Sequence, residues 1–126
     1  MTPHVVPAYA ALLALLFVVL SANVIRLRRS RRVAVGVEGH ADLERRVRVH
    51  ANFAEYVPFA LLLLALAEMR GAPAVLLHLL CLLLLGGRLA HAWGVSRSPE
   101  DFRFRVGGMV ATLTTLGATA LLLLAE

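Results

Sequence analysis

The sequence predicts an all-α integral membrane protein, a bundle of four transmembrane helices, and three observations carry that expectation. Hydrophobic residues make up 60% of the 126 residues and charged ones only 17%, with mean hydropathy +0.77, whereas a soluble domain is about half apolar and a quarter charged. Apolar stretches recur four times, at 5–25, 50–67, 73–93 and 106–125, and about 20 such residues cross a hydrocarbon layer of roughly 30 Å. All 13 basic side chains are arginine, and every one except Arg70 falls between the first and second stretches or at or beyond the end of the third. A soluble bundle would need polar helix faces that these runs lack.

The first stretch follows a segment without Asp, Glu or Arg, and arginines come after it rather than before it. It therefore reads as a retained anchor and not as a cleaved leader, which would open on basic residues and be shorter. Arg26, Arg28, Arg29, Arg31 and Arg32 begin a long loop that passes through Gly36 and Gly39 to a charged helical segment, 42–48. That segment is expected to run on into the second span as one helix. Pro58 lies within the span and removes a backbone bond to the Ala54 carbonyl. The turn at 69–73, with Gly71 and Pro73, forms a tight hairpin to the third span.

The third span ends in Arg88, His91 and Trp93, and a second long loop holds Ser98-Pro99-Glu100-Asp101. Proline followed by acids predicts a helix start there, with Ser98 as N-cap. The last span is uncharged. By the positive-inside rule both long loops are cytoplasmic and both termini lie outside, as in a bacterial inner membrane.

The net charge of +5 does not point to nucleic acid, because the arginines abut spans and no recognition motif accompanies them. The lipid bilayer is the expected partner, with arginines such as Arg28, Arg29, Arg31 and Arg32 reaching its headgroups. The lone Cys81 sits in an apolar run, and the five histidines show no pair at helical ligand spacing, so no metal site is expected.

Arg48, Asn52 and Glu55 stand at i, i+4 and i+7, one face of a helix, with Tyr56 beside them. That face enters the membrane, where a carboxylate is costly and marks either a functional site or an ion pair with Arg26, Arg88 or Arg105. Several guanidiniums with one carboxylate suit a zwitterionic ligand carrying excess negative charge, since arginine forks bind carboxylates in pairs. Glutathione, with two carboxylates, an ammonium and a thiol, has that form. A nearby arginine would also favour the thiolate over a thiol of ordinary pKa about 8.5.

The segment 45–58, RRVRVHANFAEYVP, resembles the signature of the MAPEG family (membrane-associated proteins in eicosanoid and glutathione metabolism), with Arg48, Asn52, Glu55, Tyr56 and Pro58 at its defining positions. The run 87–94 is similar to that family's third-helix end, and the stretches around 96–99 and 105–108 are similar to bacterial members; the resemblance covers essentially the whole chain. It implies a homotrimer binding glutathione between subunits, through residues matching Arg48, Asn52, Glu55 and Tyr56. Arg26, Arg88 and His91 are expected nearby. It also implies an arginine opening the fourth helix that stabilises the thiolate; Arg105 is favoured over Arg103.

Two departures stand out, Ala51 where some relatives have arginine and Val95 where some have tyrosine; both weaken thiol activation. The resemblance thus implies a glutathione-dependent transferase or peroxidase acting on lipophilic small molecules. The alternatives are a non-catalytic scaffold or lipid-binding protein of the same fold, and a small proton-coupled transporter. A transport carboxylate belongs near the midplane, whereas Glu55 lies about two turns from the cytoplasmic end of its span.

Overall fold

The computed structural model describes residues 2–125, which form four helices: α1 (Val6–Arg31), α2 (Ala41–Met69), α3 (Ala74–Ser96) and α4 (Phe102–Ala125). Each is long and apolar enough to cross a membrane. They run antiparallel, so that one end of the bundle carries the start of α1, the end of α4 and the 70–73 turn, and the other carries the two long loops. Each helix overruns its apolar stretch at the loop end, which makes the arginine-rich collar helical. The charged 42–48 segment and the second span form one helix, and that helix continues through Pro58.

The inner face of α2 explains the packing. Val49, Phe53, Val57, Ala60, Leu64 and Ala67 recur at steps of three and four and are all buried, against Leu13 and Leu20 of α1 and Leu77, Cys81 and Leu84 of α3. At 100° per residue, the Arg48–Asn52–Glu55 stripe sits roughly a third of a turn away from that face. Outward-facing leucines and valines such as Leu15, Val18, Leu62, Val75 and Leu79 are exposed, as lipid-facing side chains must be.

α3 and α4 pack backbone to backbone. A Cβ on Gly87 would meet Ala111 Cβ at 2.7 Å, and one on Gly108 would collide with the Gly87 carbonyl oxygen and His91. Small residues let membrane helices approach this way. Gly86 and Gly107, each next in sequence to one of these two, have open space around them. Thr112, Thr115 and Thr119 are buried in the same seam, and their hydroxyls donate to the carbonyls of Gly108, Ala111 and Thr115 at 2.8, 2.9 and 2.6 Å.

Three sequence expectations change. α4 starts at Phe102 rather than at Pro99, because the Asp101 carboxylate, not Ser98, accepts the free amide of Arg103 at 3.1 Å. Arg28 turns back on the chain instead of outward: it donates to the Gly36 carbonyl at 2.7 Å and so pins the loop over buried Val33. Arg31 pairs with Asp42 at 2.7 Å.

At the terminal end, α1 has no side-chain cap of its own. The Glu68 carboxylate, buried at the end of α2, accepts the backbone N–H groups of His4, Val5 (2.5 Å) and Val6 (2.8 Å). Three open amides at a helix start are thereby satisfied by one anion, which the helix dipole also favours.

Candidate functional site

Arg88 is the largest fully buried side chain, 1% exposed. One terminal nitrogen donates to Asn52 Oδ1 at 2.7 Å and lies 3.4 Å from His91 Nδ1; the other donates to Thr112 Oγ1 at 3.3 Å and lies 3.7 Å from Met109 Sδ. Its guanidinium carbon is 5.8 Å from the centre of the Phe53 ring. Among the described residues no carboxylate pairs with it, and its Nε has no partner. A buried cation held only by neutral groups ties α2, α3 and α4 together through Asn52 and Thr112. The link exists because Asn52 stands on the edge of the polar stripe nearest the core, whereas Arg48 and Glu55 point away from it.

Glu55 is exposed and makes no hydrogen bond or ion pair among the described residues. With half-buried Tyr56 it closes one end of an apolar groove of about 430 Å³ between α2 and α4, continued by Phe59, Leu63, Leu116, Gly117 and Ala120. The groove opens on the outer surface of the bundle.

Arg48 and Arg105 meet in a different cavity, of about 390 Å³ at the loop end, lined also by Ala41, Glu44, Arg45, Val95 and Glu100. Ligand pockets span about 300–1,000 Å³. Glu100 organises the cations: Arg105 lies 2.6 Å from one of its oxygens and Arg45 3.8 Å from the other. Three guanidiniums against two carboxylates leave the cavity with a net positive charge. Arg103 is outside it, its guanidinium exposed and 3.4 Å from Asp101. That contact holds the Asp101 carboxyl below its ordinary range.

Within one chain the expected residues thus form three groups. Arg88, His91 and Asn52 join inside the bundle, Glu55 and Tyr56 face the groove, and Arg48 and Arg105 face the cavity. Arg26 is exposed on α1 and lines neither. Val95, one of the two departures, is buried and forms an apolar wall of the cavity.

Sequence reasoning missed Arg45, Glu100 and Thr112. Arg45 was within reach, because it lies three residues before Arg48 on nearly the same face. Glu100 lies five residues before Arg105, but nothing local marked it as a neighbour of Arg45 as well.

A family model described as the MAPEG family matches residues 6–124. The chain is also similar to inner membrane protein YecN of Escherichia coli strain K12, 42% identical over 108 residues, which cover 86% of this chain and 81% of that protein. It matches YecN of Escherichia coli O6:H1 strain CFT073 to the same extent.

Proposed function

This chain belongs to the MAPEG family, and from that premise we propose that it is a glutathione-dependent transferase or peroxidase acting on lipophilic electrophiles. In this reading it works as a homotrimer in a bacterial inner membrane, with its long loops cytoplasmic and its termini outside. The inner-membrane relative and the gathering of arginines at the loop end support that placement.

One observation carries the reading. Glu55 stands beside an apolar groove with no partner among the described residues, while Arg88 is engaged with Asn52 and Arg105 with Glu100. A carboxylate at apolar depth calls for a counter-charge, and a ligand ammonium meets that need. Arg45, Arg48 and Arg105 offer forks for ligand carboxylates, so the donor set fits a tripeptide with two carboxylates and one ammonium.

When bound, glutathione supplies the sulfur nucleophile. The residues of the chain supply the field around it. Arg105, steadied by Glu100, favours the ionised sulfur, and Arg88 keeps Asn52 in line on the stripe. The groove along Phe59 and Leu63 admits an apolar electrophile from the side, so that binding replaces a bimolecular search by a held pair. In the trimer Arg26 of one copy serves the site of the next.

Isothermal titration of glutathione into the detergent-solubilised protein tests this. Saturable binding is expected, weakened about tenfold or more by Glu55→Gln and by Arg105→Ala, as loss of one charged hydrogen bond implies, and unchanged by Arg29→Ala. Conjugation by the purified protein should fall with Arg105→Ala. Absence of both binding and turnover would end the proposal. A second reading, a non-catalytic lipid-binding protein of the same fold, is favoured by Val95; it requires retained lipid and indifference to Glu55→Gln.

A further inference from the structure

On the opposite flank of the bundle, at the loop end, α1, α2 and α3 enclose a second opening of about 580 Å³. Its walls include Leu20 and Asn23 of α1, Arg46 of α2, Leu89 and Trp93 of α3, and Arg97 just past the end of that helix. Neither lining cation has a carboxylate partner among the described residues. The Arg97 guanidinium carbon lies 4.3 Å from the centre of the Trp93 ring, and Trp93 in turn meets Phe104 edge to face at 4.7 Å. Among the described residues no acidic side chain lines this opening, in contrast to the Arg105 cavity, where Glu44 and Glu100 offset the arginines.

We propose that this cleft is a binding site for one anionic diacyl phospholipid, its phosphate held between Arg46 and Arg97 and an acyl chain lying along Leu20 and Leu89. Three independent features converge on that occupant. The charge is positive and uncompensated, which selects an anion. The apolar lining runs from buried Leu20 to Leu89, which is exposed on the outer face of α3, and this selects a hydrocarbon tail over a soluble anion. The depth is also right, because Trp93 ends the apolar part of α3, where tryptophan marks the boundary between hydrocarbon and headgroups. The Arg97–Trp93 stack fixes one guanidinium beforehand, so less side-chain freedom is lost on binding. Asn23 offers an amide to the glycerol and ester oxygens below the phosphate.

Trp93 is the single tryptophan of the chain, so its fluorescence reports this cleft alone. The protein is reconstituted in vesicles of brominated phosphatidylglycerol diluted into phosphatidylcholine, and in the matching mixture with the bromine on phosphatidylcholine. Quenching of Trp93 is expected to favour phosphatidylglycerol, with each guanidinium contributing about a fivefold preference. Arg46→Gln and Arg97→Gln should each remove their share, and the double variant should show equal quenching by both lipids. Arg29→Gln should leave the preference intact.

The ratio is taken within each variant, so a change in the emission of Trp93 itself cancels. Circular dichroism confirms that each variant is helical. Should Arg97→Gln not fold, Arg46→Gln alone still decides the matter. Equal quenching in the unaltered protein, or a preference that survives in the double variant, overturns the proposal. So does loss of the preference on adding millimolar inorganic phosphate, which would make the site one for the free anion.

Discussion

Two glutamates of one helix, near opposite ends of the bundle, are held in opposite ways. At the terminal end, Glu68 is buried, accepts three backbone amides and closes the start of α1. Toward the loop end, Glu55 stands exposed on the same helix with nothing bonded to it among the described residues. The first is committed to the fold, and the second is available. Two arginines divide in the same way, since Arg70 at the terminal end donates to the Leu123 carbonyl at 3.3 Å while Arg48 faces an open cavity. A membrane protein can keep charge free for a ligand only where the rest of the structure does not depend on that charge.

The largest expected effect breaks the terminal end. Glu68→Gln removes the anion from three amides and should lower unfolding stability in detergent by about 2–3 kcal/mol, the scale of charged hydrogen bonds and caps. Glu55→Gln should change stability by less than about 0.5 kcal/mol. Equal losses from the two substitutions would erase the contrast.

Next in size is the seam between α3 and α4. Gly108→Ala drives a methyl into Gly87 and His91 and should cost about 1–3 kcal/mol, as overpacking does. Gly107→Ala meets open space and should be neutral or stabilising by up to about 1 kcal/mol, the helix-propensity gain. Thermal unfolding of the two variants side by side reads the difference.

Smallest is a pH effect at Asp101. The Arg103 guanidinium holds its carboxyl below the ordinary range, so the folded state favours the ionised form. Its contribution is therefore present above the ordinary carboxylate pKa and is lost as pH falls through the lowered value, below about pH 4. Asp101→Asn should flatten that part of the acid limb in a pH titration of stability and leave neutral pH nearly unchanged. An acid limb identical in the variant would remove Asp101 from the account.

What the sequence allowed to be read follows from the range of each interaction. Hydropathy is a local sum, so all four apolar runs were legible, and the 3.6-residue repeat placed Arg48, Asn52 and Glu55 on one face. The continuation of 42–48 into the second span was legible for the same reason. The start of α4 was misjudged because two local signals compete: Pro99 favours a helix start by its fixed φ, but Asp101 caps the amide. The Glu68 cap left no trace that a window along the chain could register, and the Arg105–Glu100 pair, though only five residues apart, straddles the start of α4 rather than one helical face. The first depends on chain positions 4–6 and 68 meeting in space. Arg88 was marked as a candidate, but its neutral partners Asn52 and Thr112 come from two other helices, and no spacing rule predicts them.

The Glu68 cap also bears on the order of events during synthesis. A ribosome delivers His4, Val5 and Val6 long before it delivers their acceptor, so α1 enters the bilayer with its leading turn open. Closure waits until α2 has crossed back and carried its carboxylate to the same side. The first two helices are thus locked as a hairpin by the final turn of the second, and a chain stalled before that turn would have an anchor without a latch.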